Sequence, residues 1–467
     1  MAGNVVVVGG GTGGLVAARQ LRRRLRWLDW SGRVTLVDRD LTYRFAPSFL
    51  WVMTGARRPE QVTADLRGLE RRGIDVMQAE VLEIDTDGRT VKTTEASLPY
   101  DRLVIALGAE LAPEALPGFS EGGHNVYTLE GAAAAGAALR SLDGGRVGVL
   151  VSRLPYKCPA APYETALLAE AMLRGRGVRS GSTVDVYTPE SLPMPTAGPA
   201  MGRALTGILE ARGIGFHPNR SVERVDADGR ELVFDDGERA PFDLLLGIPP
   251  HRVPEAVLRS GVVSDGGFVA VDPHTLATAA EGVFAIGDVT QVPIAGGKFL
   301  PKAGVFAHAE AEVVARRIER DFAGREPSEV FDGRGSCFVE MGDGVAAFAT
   351  GDFYAEEGAK VHLRRPGRRW HPQRWPSRST GSGDGCDNGK ETTMMWGPWG
   401  WGMGLGSVVF LALIVIGIVL LVRQRPTGDA RGEERRARQI LDERFVRGEI
   451  DEEEYQQRRR VLEGSRR

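Results

Sequence analysis

A parallel, doubly wound α/β architecture is predicted for the chain up to about residue 365, and three observations predict it. Short apolar runs alternate with longer helical stretches, the first run opens onto a glycine-rich turn, and a second strand–turn–helix unit starts near residue 147. The runs 5–8, 34–37, 103–106, 147–151 and 283–286 are short and largely apolar, as strands covered on both faces are. Of the 467 residues, 42% are hydrophobic and 26% charged, the proportions of a globular chain. Lys and Arg number 59 against 62 Asp and Glu, and a net charge of −3 offers no basic excess for a nucleic-acid partner. Three cysteines in this length exclude a disulfide framework, which leaves redox, catalytic or incidental roles. The N-terminus runs straight into a strand with no charged and apolar leader, so the first domain is expected to fold in the cytoplasm.

The first strand leads into Gly9-Gly10-Gly11-Thr12-Gly13-Gly14 and then a helical stretch, the G-x-G-x-x-G pattern of a Rossmann-like domain. Gly9 permits the tight turn, Gly11 lets the backbone approach a pyrophosphate, and Gly14 lets helix and strand pack closely. The helix N-terminus then presents free N–H groups to the phosphates. Asp38 closes the second strand, where an acid grips an adenosine ribose. The segment from Leu103 to Gly108 resembles the strand-then-glycine element of flavoproteins with two dinucleotide-binding domains. The segment from Gly282 to Gly287 and Asp288 resembles their late motif, whose Asp contacts the flavin ribityl chain. FAD is the cofactor this order of motifs implies.

A second glycine fingerprint would mark a nicotinamide site after the strand 147–151. The turn there reads Ser152-Arg-Leu-Pro-Tyr-Lys-Cys158-Pro-Ala-Ala-Pro-Tyr-Glu164, with three prolines and no glycine, which disfavours NAD(P). Cys158 precedes a helix expected from about Tyr163, and Lys157 beside it favours the thiolate. The segments PYKCPAAPYE, FLPKAGVFAHAEAEVVA and CFVEMGDG resemble, in order, the sulfide:quinone oxidoreductase and flavocytochrome c sulfide dehydrogenase family, over about residues 3–370. The resemblance implies that Cys158 and Cys337 form a redox pair that takes up sulfide or a related sulfur nucleophile, that electrons pass through FAD to a membrane quinone, and that Lys302 lies near the flavin. It offers Glu164 for proton transfer, beside its reading as a helix-start cap. The family's frequent third cysteine, between residue 108 and Cys158, is missing, so thiol or persulfide chemistry is better supported than sulfide itself. Cys386 is incidental, and His124, His217, His251 and His308 lack ligand spacing and are read as structural or surface residues.

The expected organisation is a discontinuous FAD-binding domain (1–112 and 265–325), a second Rossmann-like domain carrying Cys158 (113–264), a redox-cysteine segment (326–365) and a linker (366–393). Residues 403–422 are twenty without a charge, about 30 Å as a helix, which predicts a single transmembrane span with Trp396, Trp399 and Trp401 at the interface. The tail, 423–467, carries thirteen Arg and eleven acidic residues and contains a stretch resembling the SHOCT (short C-terminal) domain, a helical hairpin with an oligomerisation or docking role. One Lys upstream of the span against six Arg downstream within twenty residues predicts the tail inside, while the leaderless flavin domain is also expected inside. A frameshift joining two adjacent genes, the second starting at Met394-Met395, removes that conflict. The rival functions are a type II NADH:quinone dehydrogenase and a non-catalytic flavin redox sensor signalling through the tail.

Overall fold

A computed structural model describes residues 3–28 and 30–370. The chain opens with β1 (Asn4–Val8), α1 (Thr12–Leu25), β2 (Arg33–Asp38), β3 (Asp75–Gln78) and β4 (Arg102–Ile105). A second run follows: β5 (His124–Asn125), α2 (Leu129–Ser141), β6 (Gly145–Val151), α3 (Ala161–Gly175), β7 (Ser182–Tyr187), α4 (Pro199–Ala211), β8 (Gly215–His217) and β9 (Leu244–Ile248). The chain then returns with β10 (Val283–Ala285) and α5 (Gly304–Phe322), and continues through β11 (Arg334–Glu340), β12 (Ala346–Asp352) and β13 (Lys360–Leu363).

The apolar runs form two five-stranded parallel sheets, ordered β10-β4-β1-β2-β3 and β5-β9-β6-β7-β8. Val5, Val6, Val7 and Val8 are all buried in a core that they share with side chains of α1 and α5 and with Ile84 and Val91, which is why these strands read as unbroken apolar stretches. β10 closes the first sheet only after the chain has completed the whole of the second, as the late motif requires. On α1 the buried positions Val16, Ala17, Leu21 and Leu25 form one face, and Gln20 on its flank reaches Glu312 of α5 at 3.2 Å. α3 begins at Ala161, two residues before the expected start; Pro162 is tolerated there because the first turn has no N–H to donate within the helix.

β11, β12 and β13 make a separate antiparallel meander. Val339 and Met341 enter the core of the second sheet, alongside Ala161 and Tyr163, while Phe331 and Phe353 enter that of the first. Burying each such side chain stabilises by about 1.5–3 kcal/mol, so the meander is pinned to both domains. The chain divides into two compact units, Met1–Pro398 and Trp399–Arg467, and every described residue belongs to the first. Among the described residues no helix is long and apolar enough to cross a membrane. The expected span 403–422, most of the linker with Cys386, and the helical tail all lie outside the described residues.

Candidate active site

The C-terminal ends of β1, β2 and β4 surround a cavity of about 960 Å³ lined by Gly9, Gly11, Asp38, Gly108, Lys157 and Asp288, among others. The glycines there answer three different demands. Gly9 has φ 101°, and a Cβ on it would sit 2.3 Å from the Ala106 carbonyl oxygen. A Cβ on Gly14 would lie 1.8 Å from the Gly9 carbonyl oxygen, so helix and strand can pack only without it. A Cβ on Gly11 would meet no protein atom within 4 Å. Nothing in the protein demands glycine there; the space it leaves belongs to the cavity. That bare backbone at a helix N-terminus, with an acid at the end of β2, fits a dinucleotide.

Asp38 is held in place by its own neighbours. One carboxylate oxygen accepts the Gly10 N–H at 2.5 Å and the other the Asp40 N–H at 2.8 Å, leaving acceptor capacity for ribose hydroxyls. Gly287 has φ 75°, and its N–H donates to Glu310 on α5 at 2.6 Å. Glu310 is fully buried, and burial pushes its carboxyl up to about 7. Glu310 lies within the segment FLPKAGVFAHAEAEVVA, where nothing local separates it from Glu312; its place on the buried face of α5 does.

Two lysines lie on either side of the cysteine turn. Lys302, expected near the flavin, is not among the residues lining the cavity. Its Nζ donates to the carbonyl oxygens of Asp288 and Thr290, both at 2.8 Å, and lies 3.6 Å from the Phe268 ring centre. Burial brings its ammonium down to about 8. Its own carbonyl accepts the Cys158 N–H at 2.6 Å, so one residue links the late flavin motif to the cysteine turn. Lys157 lines the cavity instead, with Nζ 3.0 Å from the Ala109 carbonyl oxygen and its pKa lowered by burial. A lysine four positions before a helix carries no motif of its own, so only the tertiary fold puts it there.

In the second domain the turn between β6 and α3 is filled by its own side chains. Glu190, just past the end of β7, stands where a dinucleotide domain places its ribose-gripping acid. Its Oε2 accepts the hydroxyls of Tyr156 (3.0 Å), Thr188 (3.3 Å) and Tyr163. The group is buried, and burial pushes its carboxyl up to about 7 despite those bonds. Tyr156 and Tyr163 come from the turn and the first helical residues where a glycine fingerprint would run, so the acid is sealed off from a ribose.

Cys158 is half-buried, and Cys337, opposite Ala349 on the meander, is exposed. Neither lines the cavity; Cys158 adjoins Lys157, which does. Glu164 joins the strand of Cys337 to the helix that follows Cys158: buried in the first turn of α3, its Oε1 accepts the Glu340 N–H of β11 at 2.7 Å. Cys158 also packs against the core that contains Val339 and Met341. Glu164 is therefore a bracket between α3 and β11.

Of the histidines, His217 bonds Asp185 at 2.9 Å and stacks on Tyr187, and His308 lies 3.7 Å from Glu312. Burial alone lowers the pKa of His124 on β5. His251 is different. Its Nδ1–H donates to the Pro249 carbonyl at 3.0 Å, and burial, with Lys157 and Lys302 nearby, brings it down to about 3. It is a buried imidazole at the domain crossing, where Leu111 pairs with it. Among the described residues no cluster of His, Cys, Asp and Glu could hold a metal ion.

Residues 3–311 match the pyridine nucleotide-disulphide oxidoreductase family, and residues 436–463 match the short C-terminal domain. A mitochondrial sulfide:quinone oxidoreductase of Mus musculus is 26% identical over 366 residues, covering 75% of this chain and 78% of that protein. An NADH dehydrogenase-like protein of Mycobacterium tuberculosis is 30% identical over 301 residues, covering 61% and 72%. Among solved structures, the sulfide:quinone oxidoreductase of Aquifex aeolicus gives a TM-score of 0.70 at 24% identity, covering 79% of this chain and 88% of that one, a likeness of fold.

Proposed function

The chain belongs to the pyridine nucleotide-disulphide oxidoreductase family, and on that premise we propose that it oxidises sulfide or a related small sulfur nucleophile through Cys158 and Cys337 and delivers the electrons to a membrane quinone. The observation that carries this reading is the Glu164–Glu340 bracket, which fastens the strand of Cys337 to the helix that follows Cys158. FAD is the group the first cavity suits. Gly9, Gly11, Gly14, Asp38, Gly108, Gly287 and Asp288 would hold it, and when bound it supplies a two-electron acceptor.

The chain's own residues do the rest. Hydrosulfide attacks one sulfur of the oxidised pair; the S–S bond between the cysteines breaks, a new S–S bond forms to the nucleophile, and the other cysteine leaves as thiolate. One cysteine then carries a persulfide, with no net change in electron count until the pair is reoxidised. The ammonium of Lys157 lies close enough to Cys158 for each to favour the other's charged form. Lys302 fixes the Cys158 N–H from the flavin-domain side. In an unbroken reading frame, the expected span and tail would anchor the chain at the membrane and offer a homo-oligomer contact.

The NADH dehydrogenase-like relative favours a second reading, a type II NADH:quinone dehydrogenase. The hydroxyl-sealed Glu190 weighs against it. Anaerobic bleaching of the bound flavin separates the two. Sulfide should bleach the wild type and neither Cys158→Ser nor Cys337→Ser. Bleaching by NADH that both variants retain refutes the sulfur reading, and a flavin that cycles once but never turns over with a quinone marks a sensor.

A further inference from the structure

The Cys158 turn is held by a residue that no motif of the sequence marks. Tyr127 sits between β5 and α2, just before Thr128, whose hydroxyl caps α2 by accepting the Gly131 N–H at 3.0 Å. The Tyr127 N–H donates to Asn125 Oδ1 at 3.0 Å. Its ring packs on the second domain's core and stands edge-on to His251, ring centres 5.8 Å apart. Backbone and ring are thus fixed without help from the hydroxyl.

That hydroxyl lies 2.7 Å from the Lys157 carbonyl oxygen and 3.0 Å from that of Cys158. Two consecutive carbonyls converge on one donor because Cys158 is left-handed, with φ 52°, a conformation that L side chains avoid. From the opposite side the Cys158 N–H donates to the Lys302 carbonyl at 2.6 Å, and the Cys158 carbonyl also accepts the Ala161 N–H at 2.9 Å. Burial, with Cys158 and nearby acids, holds the Tyr127 proton well above the usual tyrosine range, so the donor persists at any working pH.

We propose that Tyr127 is a positioning residue: its hydroxyl, shared between the Lys157 and Cys158 carbonyls, locks residue 158 in the left-handed turn and so fixes where the Cys158 sulfur stands beside the cavity. Without that shared proton the two converging carbonyl dipoles repel. The peptide rotates toward the ordinary right-handed or extended region, and the sulfur moves with its Cβ. The proposal rests on the redox reading of Cys158 for its purpose, though not for its test.

The test uses the full-length, flavin-loaded protein with Cys337→Ser and Cys386→Ser, so that Cys158 is the sole thiol. The rate of trapping by iodoacetamide, an uncharged reagent, is compared with and without Tyr127→Phe. A change of at least about fivefold is expected, with the thermal midpoint moved by only a few degrees. Tyr156→Phe is the control: it removes a hydroxyl of the same turn, bonded to Glu190 and the Pro159 carbonyl, and should leave trapping within about twofold. A Tyr127→Phe rate within twofold of the parent, or an equal change in both variants, overturns the proposal. If Tyr127→Phe yields no folded protein, exchange of the Tyr127 hydroxyl proton in the parent decides. That proton must then exchange slowly enough to be resolved, as a donor buried between two carbonyls does, and exchange at solvent rates overturns the clamp. Trapping needs neither sulfide nor an electron acceptor, so a failure here is distinct from a failure of flavin bleaching.

Discussion

Replacing Glu190 by Gln should change how the fold responds to pH, and the size of the effect follows from the site. The carboxyl is buried beneath three hydroxyls, and burial raises it from 4.5 to about 7. A raised acid means that the folded state binds the proton more tightly than the unfolded chain does. The stability this group contributes is therefore fully present below pH 4.5 and is lost as pH rises through 7. The difference corresponds to about 3 kcal/mol. With a urea m-value of about 3 kcal/mol/M, that is a shift of up to about 1 M in midpoint. Urea unfolding of wild type and Glu190→Gln at pH 5, 7 and 8.5 is the assay. Glu310 adds a slope of the same sign to both proteins, so the difference between them isolates Glu190. The amide keeps an acceptor oxygen for the tyrosines and carries no charge, so the variant should gain on the wild type as pH rises. Parallel pH profiles would refute the argument, because they would mean that the carboxyl carries no buried charge at alkaline pH.

The glycine turn should separate fold from cofactor. Gly14→Ala forces a Cβ against the Gly9 carbonyl and should abolish folded yield, whereas Gly11→Ala meets no protein atom, should leave stability within about 0.5 kcal/mol, and should weaken FAD at least about tenfold by flavin titration. Glu164→Ala leaves the buried Glu340 N–H without its acceptor and should cost about 2–3 kcal/mol in thermal or urea unfolding and slow sulfide bleaching. Glu164→Gln retains an acceptor and should recover most of both; equal damage from the two variants would point to the charge instead of the bond. Resequencing of the locus should show a frame discontinuity between codons 372 and 393, and an intact frame with full-length protein on a blot would dismiss the joined-gene reading.

The nucleotide turn was legible because its demands are local. Gly9 and Gly14 are dictated by a positive φ and a helix–strand contact within a few residues of one another, and Asp38 by the length of one strand. The strands announced themselves as apolar runs because both faces of each sheet are covered. Lys302 and Lys157 were not separable in this way. Which lysine reaches the cavity depends on the angle at which the second domain's turn meets the first, and no periodicity encodes that angle. Glu164 read as a cap because its partner, the Glu340 N–H, is 176 residues away.

Sequence alone determined that this chain builds two strand–turn–helix units, that only the first bears a dinucleotide fingerprint, and that a cysteine takes the place of the second. Those are statements about backbone conformation and steric room, which neighbouring residues decide. The tertiary structure decided what surrounds that cysteine: the Lys302 carbonyl and Tyr127 hydroxyl on its peptide, the sealed Glu190 behind it, and the Glu164 bracket that brings the Cys337 strand to α3. These bonds join residues from about 30 to 176 positions apart. They exist only after apolar burial has brought the two sheets and the meander together, and desolvation then makes each hydrogen bond obligatory and shifts each buried charge.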